Sequence, residues 1–301
     1  MRRPAGGSIG SLAAFVLATG LLVAQQAPSA PPPDPRDIDA WVEQLPPRAS
    51  DKPGGVVWED ALRIPAFAWR VFLEDGKVLA ELLDPRVKEP EPQPPFVVET
   101  KDISGPTAFC QVDDGWLVAF NHGEFGGALY WFSADGAQNY RISDHRVEAF
   151  LQTPGGVLAI EGIAHGGLSQ GSLIRIARPE PGARWLAPTL LTLPAAPVAV
   201  ARRADGMLFI VLSDGVASVD PSDRLHVLFR DQERMGLSRV RSCVLSSDGN
   251  RLYFGMGDFV GQVKLDAAHL TLLVPDADFL QAATGSDVQQ VMDRYGPRPK
   301  R

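Results

Sequence analysis

The chain has 301 residues, a formal net charge of −7 at pH 7 and a hydrophobic content of 45%. This acidic balance excludes the basic surface that nucleic-acid binding requires, so no nucleic-acid partner is expected. The length suffices for one large all-β domain, since such domains often exceed about 200 residues without dividing.

The first 24 residues have the pattern of a signal peptide. Arg2 and Arg3 supply the positive start, and residues 9–24 form a mostly apolar run that is shorter than a bilayer-spanning helix needs. We predict cleavage after Ala24 and a periplasmic or secreted protein with no stable membrane insertion afterwards. The alternative is an uncleaved membrane anchor.

A Pro-rich linker is predicted over residues 25–55. Within it, residues 37–45 predict one short amphipathic helix, because Ile38, Trp41, Val42 and Leu45 fall on one helical face. Trp41 is expected to dock on the following domain.

Turn dipeptides then recur roughly every 40–50 residues. They are Asp75-Gly76, Asp114-Gly115, Gly155-Gly156, Asp205-Gly206 and Asp248-Gly249, and strand-like runs flank each of them. Asp-Gly between two strands is a strong hairpin signal, because both central residues of a type I′ turn need positive φ.

This repeat resembles the β-propeller superfamily, in the style of extracytoplasmic propellers. The resemblance covers residues 56–280 and implies an all-β domain, with five four-stranded blades, that we expect to be monomeric. No blade carries both a Gly-His start and a Trp-Asp end, and no subfamily with known chemistry is identified. Residues 281–301 predict a short terminal helix and a tail.

The two cysteines, Cys110 and Cys243, each precede a turn dipeptide by a few residues. They therefore occupy equivalent positions on the innermost strands of blades that are not neighbours. A disulfide needs Cα atoms within about 7 Å, so we predict none.

Blade topology separates the turns into two faces. The first-to-second and third-to-fourth turns lie on one face, which the short Asp-Gly hairpins are expected to close. The second-to-third loops lie on the other face, and they are longer: residues 121–127, 162–172 and 257–261. Variable loops on a rigid scaffold are where binding usually occurs, so we predict the functional site on this second face.

Four ionisable residues lie in these loops: His122, Glu124, His165 and Asp258. Imidazole and carboxylate groups suit a divalent metal such as zinc, manganese or nickel. They also suit acid–base chemistry or an organic ligand or partner. The alternative is that the histidines only bond neighbouring backbone.

Two arginines, Arg239 and Arg241, precede an inner strand on the same face. They are candidates for binding an anionic ligand, the alternative being pairing with local acids.

No complete set of nucleophile, base and orienting residue is visible in the sequence. This favours a non-catalytic binding or scaffold module for a protein, peptide or glycan. The alternative is an extracytoplasmic hydrolase or lyase that uses His122, Glu124 and His165, with or without a metal. The fold itself does not decide between them.

Overall fold

The computed structural model describes residues 36–45, 68–83, 92–230, 237, 240–256 and 259–275. Strands are the main regular elements of these residues, and the helical segments among them are short 3₁₀ turns, which confirms the all-β class. None of the helical segments in these ranges has the length and apolar character of a bilayer span. The predicted signal peptide over 1–24 and the predicted terminal helix and tail over 281–301 lie outside the described residues.

The described strands form five antiparallel sheets in succession, which we number as blades 1 to 5. Strand β1 (Val42–Gln44) precedes blade 1, which holds β2 (Ala68–Glu74) and β3 (Lys77–Leu83). Blade 2 holds β4 (Ala108–Val112), β5 (Gly115–Asn121), β6 (Gly127–Ser133) and β7 (Asn139–Ser143). Blade 3 holds β8 (Val147–Thr153), β9 (Gly156–His165), β10 (Leu168–Ile176) and β11 (Thr189–Leu193). Blade 4 holds β12 (Pro197–Arg202), β13 (Leu208–Leu212), β14 (Gly215–Val219) and β15 (Leu225–Arg230). Blade 5 holds β16 (Cys243–Leu245), β17 (Arg251–Gly255), β18 (Val260–Lys264) and β19 (His269–Val274).

Each four-stranded blade is a simple meander whose strands pair in chain order. The first strands contact one another from blade to blade, β4 with β8, β8 with β12, β12 with β16 and β16 with β2. Successive antiparallel sheets that meet through their first strands are the arrangement of a β-propeller, so the predicted fold is confirmed. Blades 2 to 4 have the predicted four strands, blade 5 has these four and a fifth from β1, and blade 1 has two among the described residues.

The hairpin turns at Asp75, Asp205 and Asp248 have two different geometries. Asp75 and Gly76 both have positive φ (50° and 78°), as a type I′ hairpin requires. The turns at Asp205 and Asp248 are longer, and there only the glycine has positive φ. In these turns the Asp carboxylate accepts a hydrogen bond from the backbone N–H two residues on, at 3.1 and 3.0 Å. The prediction of type I′ geometry was therefore wrong for these two turns, because the side chain itself stabilises an Asx turn. It was also wrong at Asp114-Gly115, where the glycine has positive φ and the aspartate does not.

The predicted helix over residues 37–45 is not formed. A single 3₁₀ turn, Ile38–Ala40, is followed by β1, which pairs with β19 at the outer edge of blade 5. One such turn already buries both Ile38 and Trp41, and the open edge of β19 offers the backbone partners that a helix would otherwise supply. The segment assigned to the linker therefore contributes a strand to the last blade.

This N-terminal segment also reaches blade 1. Asp37 forms a β-bridge with Leu79, and the Trp41 ring lies 4.7 Å from the ring of Trp69, centroid to centroid. Residues 36–44, the N-terminal strap, thus tie blade 1 to blade 5. Trp41 therefore packs on the following domain, as predicted from the sequence.

The cores lie between the blades. One cluster joins blades 2 and 3 through fully buried side chains such as Leu117, Leu129 and Ile174. Cys110 of blade 2 is buried in this cluster, Cys243 lies in blade 5, and neither forms a disulfide bond. Burial raises the pKa of Cys243 to about 12.

Candidate functional site

The second-to-third connection of blade 3 is a protruding β-hairpin rather than the predicted loop over residues 162–172. Strands β9 and β10 stay paired until His165 meets Leu168, and the turn between them has only two residues. Gly166 and Gly167 both have positive φ (56° and 87°), which fits a type I′ turn. The Gly-rich composition therefore encodes a tight hairpin tip.

Paired glycines stand at the base of this hairpin. Gly162 faces Gly171 across the strands, and a Cβ on Gly171 would lie 2.3 Å from Cδ of Pro197 in blade 4. The absence of side chains lets the hairpin pack directly on the neighbouring blade.

The predicted residues Glu124 and His165 are brought together. Glu124 lies in the 3₁₀ helix Gly123–Phe125 of blade 2, and His165 ends β9 of blade 3. His165 Nε2 is 3.0 Å from Glu124 Oε2, and the two side chains are 61% and 47% exposed. They form an ion pair when the imidazole is protonated, and they join the second-to-third connections of two adjacent blades.

The predicted residue His122 is not part of this pair. His122 Nε2 lies 3.3 Å from the carbonyl oxygen of Gly105, which is the backbone contact that the alternative interpretation expected. Asp258 lies outside the described residues. Nowhere in the described ranges do three or more His, Cys, Asp or Glu side chains form a group that could hold a metal ion.

Further contacts hold the hairpin on both sides. On the blade 2 side, the N–H of Gly162 donates to the carbonyl oxygen of Arg146 at 3.1 Å, and Arg146 Nε donates to the carbonyl oxygen of Gly123 at 2.7 Å. On the blade 4 side, the hydroxyls of Ser169 and Ser213 are 2.7 Å apart, and the N–H of Ala196 donates to Ser169 Oγ at 2.9 Å. The hairpin is therefore fixed between blades 2 and 4.

A second ionisable pair lies at the hairpin base. His145 Nδ1 is 3.8 Å from Glu161 Oε2, and the side chains are only 22% and 16% exposed. His145 Nε2 lies 2.9 Å from the carbonyl oxygen of Ala187, so this nitrogen must carry a proton. The carboxylate then favours a second proton on Nδ1.

The two pKa values shift in opposite directions. The interaction with Glu161 raises the pKa of His145, against an opposing effect of burial. Burial acts to raise the pKa of Glu161, but the contact with His145 and a hydrogen bond from the Ser172 hydroxyl outweigh it and lower this pKa. The pair therefore favours the charged forms of both side chains at the hairpin base.

Two large apolar side chains beside the Glu124–His165 pair are exposed. Phe125, the next residue after Glu124, is 86% exposed, and Leu168, which faces His165 across the hairpin, is 50% exposed. Neither residue was predicted. The sequence signal was an apolar residue inside an otherwise polar, Gly-rich connection.

Arg241 lies near an acidic group, as the alternative interpretation of this arginine expected. Its charge acts on Glu148 of β8, which also accepts a hydrogen bond from Asn121 Nδ2 at 2.9 Å. Desolvation by the surrounding protein nevertheless raises the pKa of Glu148. Glu148 and Arg241 belong to blades 3 and 5, which are not neighbours, so their interaction places them near the axis of the blades. Arg239 lies outside the described residues.

The opposite face is less closed than the short hairpins predict. A cleft of about 520 Å³ opens there between blades 2 and 3. Its lining includes Arg178, Trp185 and the ends of β4 and β8. These groups are far apart in the sequence, and no local pattern indicates the cleft.

No family model and no curated protein matches the sequence. Among solved structures, the chain is similar to a gluconolactonase from Xanthomonas campestris, with 16% identity, 56% of this chain and 57% of that chain covered, and a TM-score of 0.37. It is similar to a virginiamycin B lyase from Staphylococcus aureus, with 11% identity, 71% and 72% covered, and a TM-score of 0.39. It is also similar to YCF48, solved bound to the D1 peptide, with 16% identity, 61% and 57% covered, and a TM-score of 0.38. The alignment thus spans little more than half of the gluconolactonase and of YCF48, and the function must be argued from this chain's own residues.

Proposed function

We propose that the chain is an exported β-propeller binding module that holds a protein or peptide partner on the face of its second-to-third connections. The contact surface comprises the hairpin tip and the adjacent 3₁₀ helix, residues 123–125 and 164–170, which we call the hairpin-tip surface. Export is proposed on the N-terminal sequence pattern.

The observation that carries this proposal is the combination of exposed apolar and charged groups at the tip. Single exposed apolar residues are common on protein surfaces and need no explanation. Here Phe125 and Leu168 flank the Glu124–His165 pair from two different blades. An aromatic anchor beside a polar, partly solvated pair is the composition of a protein-binding hot spot with its rim.

The same geometry favours binding over catalysis. Glu124 and His165 contact each other in an exposed setting, whereas general acid–base catalysis needs a group held against a reacting atom. The described residues supply neither a nucleophile hydrogen-bonded to this histidine nor a third ligand for a metal. Peptide binding needs only an exposed surface, and the hairpin that forms this surface is already held between blades 2 and 4.

The test starts from protein recovered from the periplasm or medium of expressing cells, with an N-terminus near Gln25. Peptides are selected on it from a random display library, and the affinity of the best binders is measured by calorimetry. Replacing Phe125 and Leu168 together by Ser should weaken binding by tenfold or more, because each hot-spot residue contributes at least about 1 kcal/mol and about 1.4 kcal/mol is tenfold.

The control replaces two exposed apolar residues elsewhere, Leu186 (54%) and Val227 (45%), by Ser. This variant should bind the selected peptides as the wild type does. Equal affinities for both double variants would show that the hairpin-tip surface does not bind peptides, and a library that yields no binder would contradict the proposal itself.

A further inference from the structure

A cavity lies on the opposite face of the propeller, away from the hairpin-tip surface. It is the cleft of about 520 Å³ between blades 2 and 3, which falls within the range of about 300–1,000 Å³ typical of small-molecule sites. Gln111 and Val112 of β4 form one wall, and Gln152 and Thr153 of β8 form the other. The core that blades 2 and 3 share holds these two walls in place.

The cleft's charged wall is rigid. Arg178 donates from Nη1 to Asp114 Oδ2 at 2.7 Å and from Nη2 to Asp113 Oδ2 at 2.5 Å. Its guanidinium carbon lies 4.7 Å from the ring centroid of Trp185, and Trp185 Nε1 donates to Asp114 Oδ1 at 3.3 Å. These bonds fix Arg178 and Trp185 before any ligand arrives, which reduces the entropic cost of binding.

The charges of this wall disfavour anionic ligands. One guanidinium faces two carboxylates, so the local charge is negative, which disfavours a carboxylate or phosphate ligand. Arg178 is only 15% exposed, which leaves little of it for a ligand to reach.

The remaining polar groups are neutral and mostly accept hydrogen bonds. Gln152 Nε2 donates to the carbonyl oxygen of Gln111 at 2.7 Å, which fixes the amide and leaves its Oε1 as an acceptor. No hydrogen bond in the described part of the chain uses the side-chain amide of Gln111. The Thr153 hydroxyl donates to Gly156 O and can still accept. Val112, Val157 and Trp185 supply the apolar part of the lining.

We propose that this cleft binds a neutral saccharide. Sugar hydroxyls donate to the acceptors Gln152 Oε1 and Thr153 Oγ1, and they accept from the amide of Gln111. The C–H face of a pyranose ring suits the apolar lining, and the absence of formal charge suits a wall whose arginine is already paired. The site is independent of the hairpin-tip surface.

The test measures binding of neutral and charged probes to the exported protein by saturation-transfer NMR and calorimetry. The neutral probes are maltose, cellobiose and mannobiose; the charged probes are gluconate, glucose 6-phosphate and spermidine. At least one neutral disaccharide should bind at millimolar concentration or better, and no charged probe should bind more tightly. A panel in which no neutral sugar binds, or in which an anion or spermidine binds best, would overturn the proposal.

Variants locate the site. Replacing Gln111 and Gln152 together by Ala should weaken binding of the saccharide about tenfold, since two hydrogen bonds are lost. Gln138→Ala is the control, because Gln138 is an exposed glutamine on the same face outside the cleft. Far-UV circular dichroism checks folding, and the single variant Gln111→Ala, at an exposed position, replaces the double variant if folding is impaired. Equal binding by the cleft variants and Gln138→Ala would refute this location.

Discussion

Replacing Glu161 by Gln should destabilise the protein through the hairpin base, with a characteristic dependence on pH. The substitution keeps the shape of the side chain and an oxygen that accepts from Ser172. It removes the negative charge that faces His145 at 3.8 Å. The loss of stability therefore measures the charge interaction and not the effect of a cavity.

The magnitude follows from the burial of the pair. Interactions that involve a charged group contribute about 1.5–3 kcal/mol to stability. With side-chain exposures of 22% and 16%, solvent screens this pair only partly, and we expect a loss of about 2 kcal/mol. For a domain of roughly 150–250 residues this corresponds to a decrease in Tm of about 4–8 °C.

The sign of the pH dependence follows from the two shifts. The raised pKa of His145 stabilises the fold below the ordinary value of 6.5, and this contribution is lost as the pH rises through the folded-state value. The lowered pKa of Glu161 stabilises the fold above the ordinary value of 4.5 and is lost as the pH falls. The difference between wild type and Glu161→Gln should therefore be largest near pH 5.5.

Urea unfolding at pH 3.5, 5.5 and 8.5, followed by tryptophan fluorescence, measures this difference. Glu180→Gln is the matched control, because Glu180 is an exposed acid on the same blade, and its substitution should change stability little at any of these pH values. A destabilisation by Glu161→Gln that is constant across the three pH values, or largest at pH 8.5, would refute the assignment of the charge pair.

Two further substitutions test the packing that holds the site and the fold. Gly171→Ala should lower the free energy of unfolding by about 1–3 kcal/mol in urea titrations, because its Cβ would lie 2.3 Å from Cδ of Pro197. Gly155→Ala is the control and should not lower it, because the nearest atom to its Cβ would be 3.9 Å away. Equal effects of the two substitutions would contradict the close packing at Gly171. Trp41→Ala should cost about 3–5 kcal/mol, because this side chain is 6% exposed against Trp69, and a loss below 1 kcal/mol in the same titration would show that the strap does not hold blade 1.

Local sequence signals predicted most of the strands. Around Asp114-Gly115 the predicted strands match β4 and β5 within one residue, because the turn and the apolar runs are both local. The segment after Asp37 was assigned the wrong element, because the spacing of Ile38 and Trp41 fits a single 3₁₀ turn as well as a helix. The decisive partner, the edge of β19, lies more than 200 residues away.

The candidate site was predicted only in part, because some of its contacts join residues that are distant in the sequence. Blade topology placed Glu124 and His165 on one face, and they form a pair there. The Gly166-Gly167 tip was a hairpin signal that the surrounding Gly and Ser residues concealed. The cleft depends on Arg178 meeting Asp113 and Asp114 across two blades, a contact over more than 60 residues that no local pattern contains.

The interface between blades 2 and 3 supports both proposed sites. On one face it positions the 3₁₀ helix against the hairpin, and on the other it forms the walls of the cleft. Its core is made of fully buried side chains such as Leu117 and Ile174, and close-packed cores of this kind resist small displacements. Transmission between sites requires an element with two arrangements, which such an interface does not supply. Both proposed sites rest on this same rigid contact, so we expect a peptide on the hairpin-tip surface to leave the affinity of the cleft for its ligand unchanged.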